Sequence, residues 1–195
     1  DCDNNIVIPF YRSWYCWKDA AANMYESWWG FQSLPKLNSR DESWREFLCG
    51  ENGIVRHWLR LGADGWRLDV VDEYPDELVR LIREAAKAEK PDCAIIGEVW
   101  EDAVLKVSYG HRRNYALGYA LDSVMNYPLR QTILDFLLRG DGTAFRLRLW
   151  ELLEHYPRPC WDVMMNLLSS HDVPRAITAL GGTPMQHRDR DWQRA

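Results

Sequence analysis

The sequence predicts an α/β fold built on a parallel sheet. Apolar runs of strand length alternate four times with segments of helical period, the pattern of repeated β/α units. Three of these runs lead into an acid: Asp69 in Gly62-Ala-Asp-Gly-Trp-Arg-Leu-Asp-Val70, Glu98 in Ala94-Ile-Ile-Gly-Glu-Val-Trp100, and Asp172 in Asn166-Leu-Leu-Ser-Ser-His-Asp172. The chain of 195 residues is 47% hydrophobic and 27% charged, enough for one sizeable core.

Residues 1–41 show no sustained helical or strand alternation and read as an irregular, aromatic-rich subdomain. Tyr11, Trp14, Tyr15, Trp17, Tyr25, Trp28, Trp29 and Phe31 crowd into it without a clean period. Long loops in compact domains tend to be functional, and aromatic rings line ligand pockets and stack on sugar faces. About half the rings of the whole chain are expected in the core. Residues 43–61 predict a helix in two pieces, broken near Gly50 and Gly53.

The first strand is expected over 64–70. Pro75 then sits where a helix tolerates proline, in the first turn. Leu78, Leu81, Ile82, Ala85 and Ala86 fall on one face of a helix over 75–90. The second strand is expected over 93–99 and the third over 119–122. Helices follow over 128–139 and 142–155. The fourth strand is expected over 162–168, and a helix over 174–180 closes at Gly181-Gly182. A polar tail occupies 185–195. Four β/α units are half of an eight-fold barrel, for which about 250 residues is typical. The pattern therefore fits either a small open α/β sheet or a piece of a barrel.

The net charge of -5 argues against nucleic acid and anionic membranes as partners. No apolar run approaches the roughly 20 residues that span a bilayer. The sequence opens on Asp-Cys-Asp-Asn-Asn without an initiator methionine, so a preceding segment is expected. Five widely spaced cysteines, with no Cys-x-x-Cys pair, argue against a disulfide framework or a structural zinc. They read as small buried hydrophobes in a reducing compartment, the cytoplasm. No His/Cys cluster has metal-ligand spacing, and neither a Gly-rich phosphate loop nor Gly-x-Ser-x-Gly is present.

The three acids are the candidate catalytic residues. Strand alternation puts Arg67 and Asp69 on one face. A guanidinium beside a carboxylate keeps it ionised, which suits a nucleophile or a buried structural ion pair. Glu98 has Ala94, Ile95, Ile96, Val99 and Trp100 as apolar neighbours in its own strand, and an apolar setting favours the protonated form a general acid needs. It also fits an acid near a helix N-terminus. His171-Asp172 could bond sugar hydroxyls, or Asp172 could cap the helix led by Pro174. Three carboxylates at one rim of a parallel sheet suit cleavage of a sugar acetal.

In this order and wording the segments resemble a known family. Gly65-Trp-Arg-Leu-Asp69, Gly97-Glu-Val-Trp100 and Ser170-His-Asp172 resemble the second, third and fourth signature regions of the α-amylase family of glycoside hydrolases. Leu34-Pro-Lys-Leu-Asn38 is similar to an additional motif in the form seen in the neopullulanase, cyclomaltodextrinase and maltogenic amylase branch. Tyr25-Glu-Ser-Trp-Trp-Gly-Phe31 agrees with that branch, and the resemblance runs to about residue 184. It implies the central part of a (β/α)8 TIM barrel, strands 4–7 with their helices over 42–184. The irregular subdomain over 1–41 would lie between strands 3 and 4, and the tail over 185–195 would lead to strand 8. It implies a retaining hydrolase of α-1,4-glucans or maltooligosaccharides. Asp69 would be the nucleophile, Glu98 the acid and base, and Asp172 the transition-state stabiliser. Arg67 would hold Asp69 ionised, His171 would bind the same sugar, and Tyr25, Trp28 and Trp29 would wall the cleft. A glucanotransferase using the same intermediate is the nearest alternative; a non-catalytic carbohydrate binder would not need all three acids.

The residues identify no certain cofactor. The resemblance is compatible with a bound calcium ion and with a homodimer of the intact enzyme, but no residue here identifies either. The family's first signature, Asp-x-x-x-Asn-His, is absent. Val70-Val-Asp-Glu73 differs from the commoner Val-Ala-Asn-Glu, and Val173 stands where threonine is frequent. An open half-barrel leaves sheet edges unpaired, so these 195 residues alone are expected to be inactive, poorly soluble or oligomeric.

Overall fold

The computed structural model describes residues 11–21 and 24–181. Cys2, Gly182 and the tail over 185–195 lie outside the described residues. The chain divides into two compact units, one formed by Asp1–Ala63 with Glu84–Asp92, the other by Asp64–Arg83 with Cys93–Ala195.

In the first unit, β1 (Trp17–Asp19) pairs antiparallel with β2 (Met24–Tyr25). Two isolated bridges, Tyr15 to Leu37 and Ser27 to Pro35, tie the rest of the loop together. Asp41 then caps α1 (Glu42–Cys49), its carboxylate accepting from Trp44 N at 2.9 Å. The break at Gly50 and Gly53 separates α1 from α2 (Ile54–Arg60). Arg60 makes a bidentate pair with Glu89, at 2.9 and 2.8 Å.

The second unit is built on a parallel sheet of three strands in chain order. β3 (Gly65–Leu68) pairs with β4 (Ala94–Gly97), and β4 pairs with β7 (Ser123–Val124). Between β3 and β4 the chain runs through α3 (Asp76–Glu89), of which the part up to Arg83 belongs to this unit and the rest to the first; its Leu78, Val79, Ile82, Ala85 and Ala86 are buried. A small antiparallel pair, β5 (Val107–Ser108) with β6 (His111–Arg112), interrupts the β4–β7 connection. After β7 come α4 (Tyr127–Arg139), α5 (Gly142–His155), the short α6 (Arg158–Asp162) and α7 (Ala176–Ala179).

Two glycines leave room for close packing at the sheet, Gly65 against the neighbouring strand and Gly97 against side chains that cover it. A Cβ on Gly65 would fall 2.1 Å from Ala94 O, and one on Gly97 would fall 2.5 Å from Leu121 Cδ1 and 2.9 Å from Val71 Cγ1.

Two expected strands differ. The third lies at Ser123–Val124 rather than 119–122. Asp122 closes that end of the ladder: its N donates to Ile95 O at 2.8 Å and its carboxylate accepts from Ile95 N at 2.9 Å. The fourth contracts to one parallel rung, Met125 to Met165. Its first residue instead ends α6, a helix led by Pro157 and Pro159. The core is also less aromatic than expected. Among the described residues, Trp44, Tyr115, Tyr127 and Tyr156 are the buried large rings, and Trp29, Tyr109 and Tyr119 are exposed by more than 70%.

Candidate active site

Register places the first two acids side by side. Leu68 pairs with Gly97, and Asp69 and Glu98 are the next residue of each strand. Glu98 N donates to Leu68 O at 2.9 Å and Val71 N to Glu98 O at 3.3 Å, so the strands remain joined past both acids. Neighbouring strands lie about 4.8 Å apart, which brings the two carboxylates to one end of the sheet.

Arg67 joins them. Its Nη1 bonds Asp69 Oδ1, its Nη2 lies 2.9 Å from Glu98 Oε1, and its Nε donates to Met125 Sδ at 3.4 Å. Burial works against the guanidinium charge, but the Asp69 hydrogen bond and the fields of Glu98 and Asp69 outweigh it, and its pKa is raised. Glu98 is 3% exposed, whereas the Asp69 side chain is 67% exposed. Three donors reach Glu98: Arg67, Trp100 Nε1 at 3.1 Å on Oε1, and Val70 N at 2.8 Å on Oε2. The apolar setting expected from its strand neighbours is therefore incomplete, because the carboxylate itself sits among donors.

Val70, the next residue after Asp69, has φ 39°, a left-handed conformation that is strained for a β-branched side chain. It aims the Val70 N–H at Glu98. A buried arginine braces the following segment: Arg113 donates to Tyr74 O at 2.6 Å and to Asp72 O at 3.3 Å. Asp72 accepts from Tyr115 OH at 2.8 Å and pairs with Lys106 Nζ at 2.9 Å.

Asp172 sits on a loop, seven residues past the Met165 rung. His171 Nε2 lies 3.1 Å from Asp172 Oδ2. Asp172 N donates to Ser170 Oγ at 3.1 Å, and Tyr127 OH donates to the same oxygen at 3.3 Å. Tyr127 links the loop to the strand-end acids. Trp100 stacks on its ring with centroids 5.3 Å apart. Burial raises the Tyr127 phenol pKa; the Ser170 bond and Arg67 work against this, and the charges of Glu98 and Asp172 reinforce it. Tyr74 feels the same cluster: burial first and Asp69 second raise its phenol.

Asp69, Glu98, Asp172, Arg67 and His171 all belong to the second unit. Tyr25, Trp28 and Trp29 belong to the first. Tyr25 OH donates to Gln32 O at 2.8 Å, and Trp28 and Trp29 stack with centroids 4.8 Å apart. Sequence reasoning missed Tyr74 and Tyr127, and took Trp100 only as an apolar neighbour of Glu98, not as a donor to it. The signal for Trp100 as a donor was its spacing, since two residues past Glu98 it returns to the same side of an extended chain. Among the described residues no group of three His, Cys, Asp or Glu side chains is placed to hold a metal ion, and no helix is long and apolar enough to cross a membrane.

Comparison with known proteins bears on this geometry. Residues 4–193 match the family described as alpha amylase, catalytic domain. The chain is 34% identical over 204 residues to an amylopullulanase of Thermoanaerobacterium saccharolyticum, covering 92% of this chain and 15% of that protein. It is 34% identical over 187 residues to a cyclomaltodextrinase of Geobacillus thermopakistaniensis, covering 85% of this chain and 30% of that protein. Among solved structures, the cyclic alpha-maltosyl-(1→6)-maltose hydrolase of Arthrobacter globiformis in complex with maltose superposes with a TM-score of 0.78 at 29% identity, over 92% of this chain and 39% of that one. The chain thus spans well under half the length of each of these relatives.

Proposed function

Because the chain belongs to the alpha-amylase catalytic-domain family, we propose that it carries the catalytic carboxylates of a retaining α-glycoside hydrolase acting on α-1,4-linked glucans or maltooligosaccharides. The two named relatives are an amylopullulanase and a cyclomaltodextrinase, and the solved structure is that of a cyclic alpha-maltosyl-(1→6)-maltose hydrolase in complex with maltose, which supports that substrate class. The parallel strands β3, β4 and β7 with the Met165 rung would be consecutive strands of a (β/α)8 barrel, the fourth to seventh.

One observation carries the mechanistic reading: a single guanidinium, that of Arg67, contacts both Asp69 and Glu98. Double displacement needs a nucleophile and an acid close together on one sugar. Asp69 is the open one of the pair and is the nucleophile. It attacks the anomeric carbon, and Glu98 gives a proton to the departing glycosidic oxygen. In the second half-reaction Glu98 takes a proton from a water whose oxygen attacks the anomeric carbon, and the bond to Asp69 breaks, giving net retention. Arg67, Trp100 and the Val70 N–H orient the Glu98 carboxyl before substrate binds. Asp172 and His171 bind hydroxyls of the same ring and favour its oxocarbenium-like transition state.

The test is Asp69→Asn in the intact protein, assayed on maltotriose. Turnover is expected to fall by about three orders of magnitude or more, with maltotriose binding by calorimetry largely retained. Near-normal turnover would overturn the nucleophile assignment. The product pattern from the wild type, glucose and maltose against longer oligosaccharides, separates hydrolysis from transfer.

A further inference from the structure

The loop that carries Asp172 has little sheet to hold it. Met165 makes its two backbone bonds, donating to Val124 O at 3.1 Å and accepting from Asn126 N at 2.9 Å. No strand is formed from there to α7. The first turn of α4 takes over. Asn126 Nδ2 donates to Asn166 Oδ1 at 3.0 Å, and Tyr127 OH reaches Ser170. One turn on, Arg130 is 7% exposed. Its Nε donates to Leu168 O at 3.0 Å and its Nη2 to Pro174 O at 2.9 Å. These two carbonyls flank Ser170-His171-Asp172 on either side. Among the described residues Arg130 has no carboxylate partner, so its charge is spent on backbone oxygens alone. A buried cation with only neutral partners is costly for stability, and a planar fork of donors is suited to fixing two acceptors at a set separation.

Resting on the reading of the site given above, we propose that Arg130 is a positioning residue for Asp172: its guanidinium clamps both ends of the loop so that the carboxylate faces the sugar ring. Arg130 touches no reacting atom. It acts only through the loop.

A double-mutant cycle in the intact protein tests this, with Arg130→Lys, Asp172→Asn and the pair assayed on an activated aryl α-maltoside. A lysine keeps the charge but offers a point donor that cannot span both carbonyls. Asp172→Asn alone is expected to lower kcat/KM about a thousandfold. Arg130→Lys alone is expected to lower it about tenfold, the scale of a small misplacement of a catalytic group. In the Asp172→Asn background, Arg130→Lys should cost less than about twofold, because the carboxylate it positions is already gone. An equal loss in both backgrounds would overturn the proposal, since lost folding or lost active fraction multiplies the two effects. If Asp172→Asn alone keeps wild-type activity, the reading of the site fails and the inference falls with it; if only the cycle is additive, the inference alone fails. Arg130→Gln, which keeps one donor arm and no charge, repeats the cycle should the lysine variant be insoluble.

Discussion

The two strand-end acids and the loop acid are held in different ways. Asp69 and Glu98 are fixed by sheet register: Leu68 pairs with Gly97, and the carboxylates follow as the next rung. One cation then ties them together. Asp172 has no rung. Its loop is bonded instead by side chains at the start of α4, namely the capping Asn126 with Tyr127 and Arg130, that reach across 38 to 44 residues of sequence. A position set by register is shared with the whole sheet and costs nothing local to maintain. A position set by side chains is adjustable, and single substitutions can move it.

Among substitutions that leave all three acids in place, the largest expected effect lies in the register-built half. Arg67→Gln removes the cation shared by Asp69 and Glu98 and should lower kcat on maltotriose by about 100-fold or more, while leaving the Tyr127 to Ser170 bond intact. A loss under tenfold would mean that register alone suffices.

Gly97→Ala probes the register directly. Its added methyl meets Leu121 and Val71 well inside contact distance, so overpacking should destabilise the second unit by about 1–3 kcal/mol. Urea denaturation measures it. A neutral result would show that β4 can shift without consequence.

Tyr127→Phe probes the other half. It deletes the hydroxyl bonded to Ser170 but keeps the ring stacked on Trp100. Stability should drop by about 1 kcal/mol. Activity should fall with KM little changed, since Arg67, Asp69 and Glu98 are untouched.

How much of this was legible depends on the range of the interaction. Period-two alternation put Arg67 and Asp69 on one face, and the structure shows their ion pair. Period-3.6 spacing put a helix over 75–90, and it is observed over Asp76–Glu89. Both signals lie within a few residues. The placing of Tyr127, Arg130 and Arg113 did not show, because what defines them is a carbonyl or hydroxyl 38 to 44 residues away. The strained turn at Val70 was hidden for a related reason. Valine disfavours φ 39°, so local preference points the wrong way and tertiary contacts through Glu98 and Arg113 decide. The strand expected over 162–168 failed because an apolar run does not reveal how many neighbours its edges will find.

The smallest effect is a pH dependence. The folded Tyr127 phenol lies above its ordinary 10.0. Protonation is therefore favoured in the folded state, so its contribution is intact below pH 10 and fades as pH climbs through the raised value. The wild type should lose part of its urea midpoint as pH rises beyond the phenol's ordinary 10.0, a loss that Tyr127→Phe does not show. Parallel curves for the two proteins would remove the phenol from the account.

The central claim is that Asp69 and Glu98 work as nucleophile and acid on one anomeric carbon, and covalent trapping tests it most directly. A fluorinated glucosyl fluoride, which forms the glycosyl-enzyme faster than it is hydrolysed, is incubated with the intact protein, and the peptides are read by mass spectrometry. One sugar adduct on the peptide containing Asp69 is the predicted result. An adduct on Asp172 or on any other carboxylate, or a hydrolysed reagent with no adduct on Asp69, would contradict it.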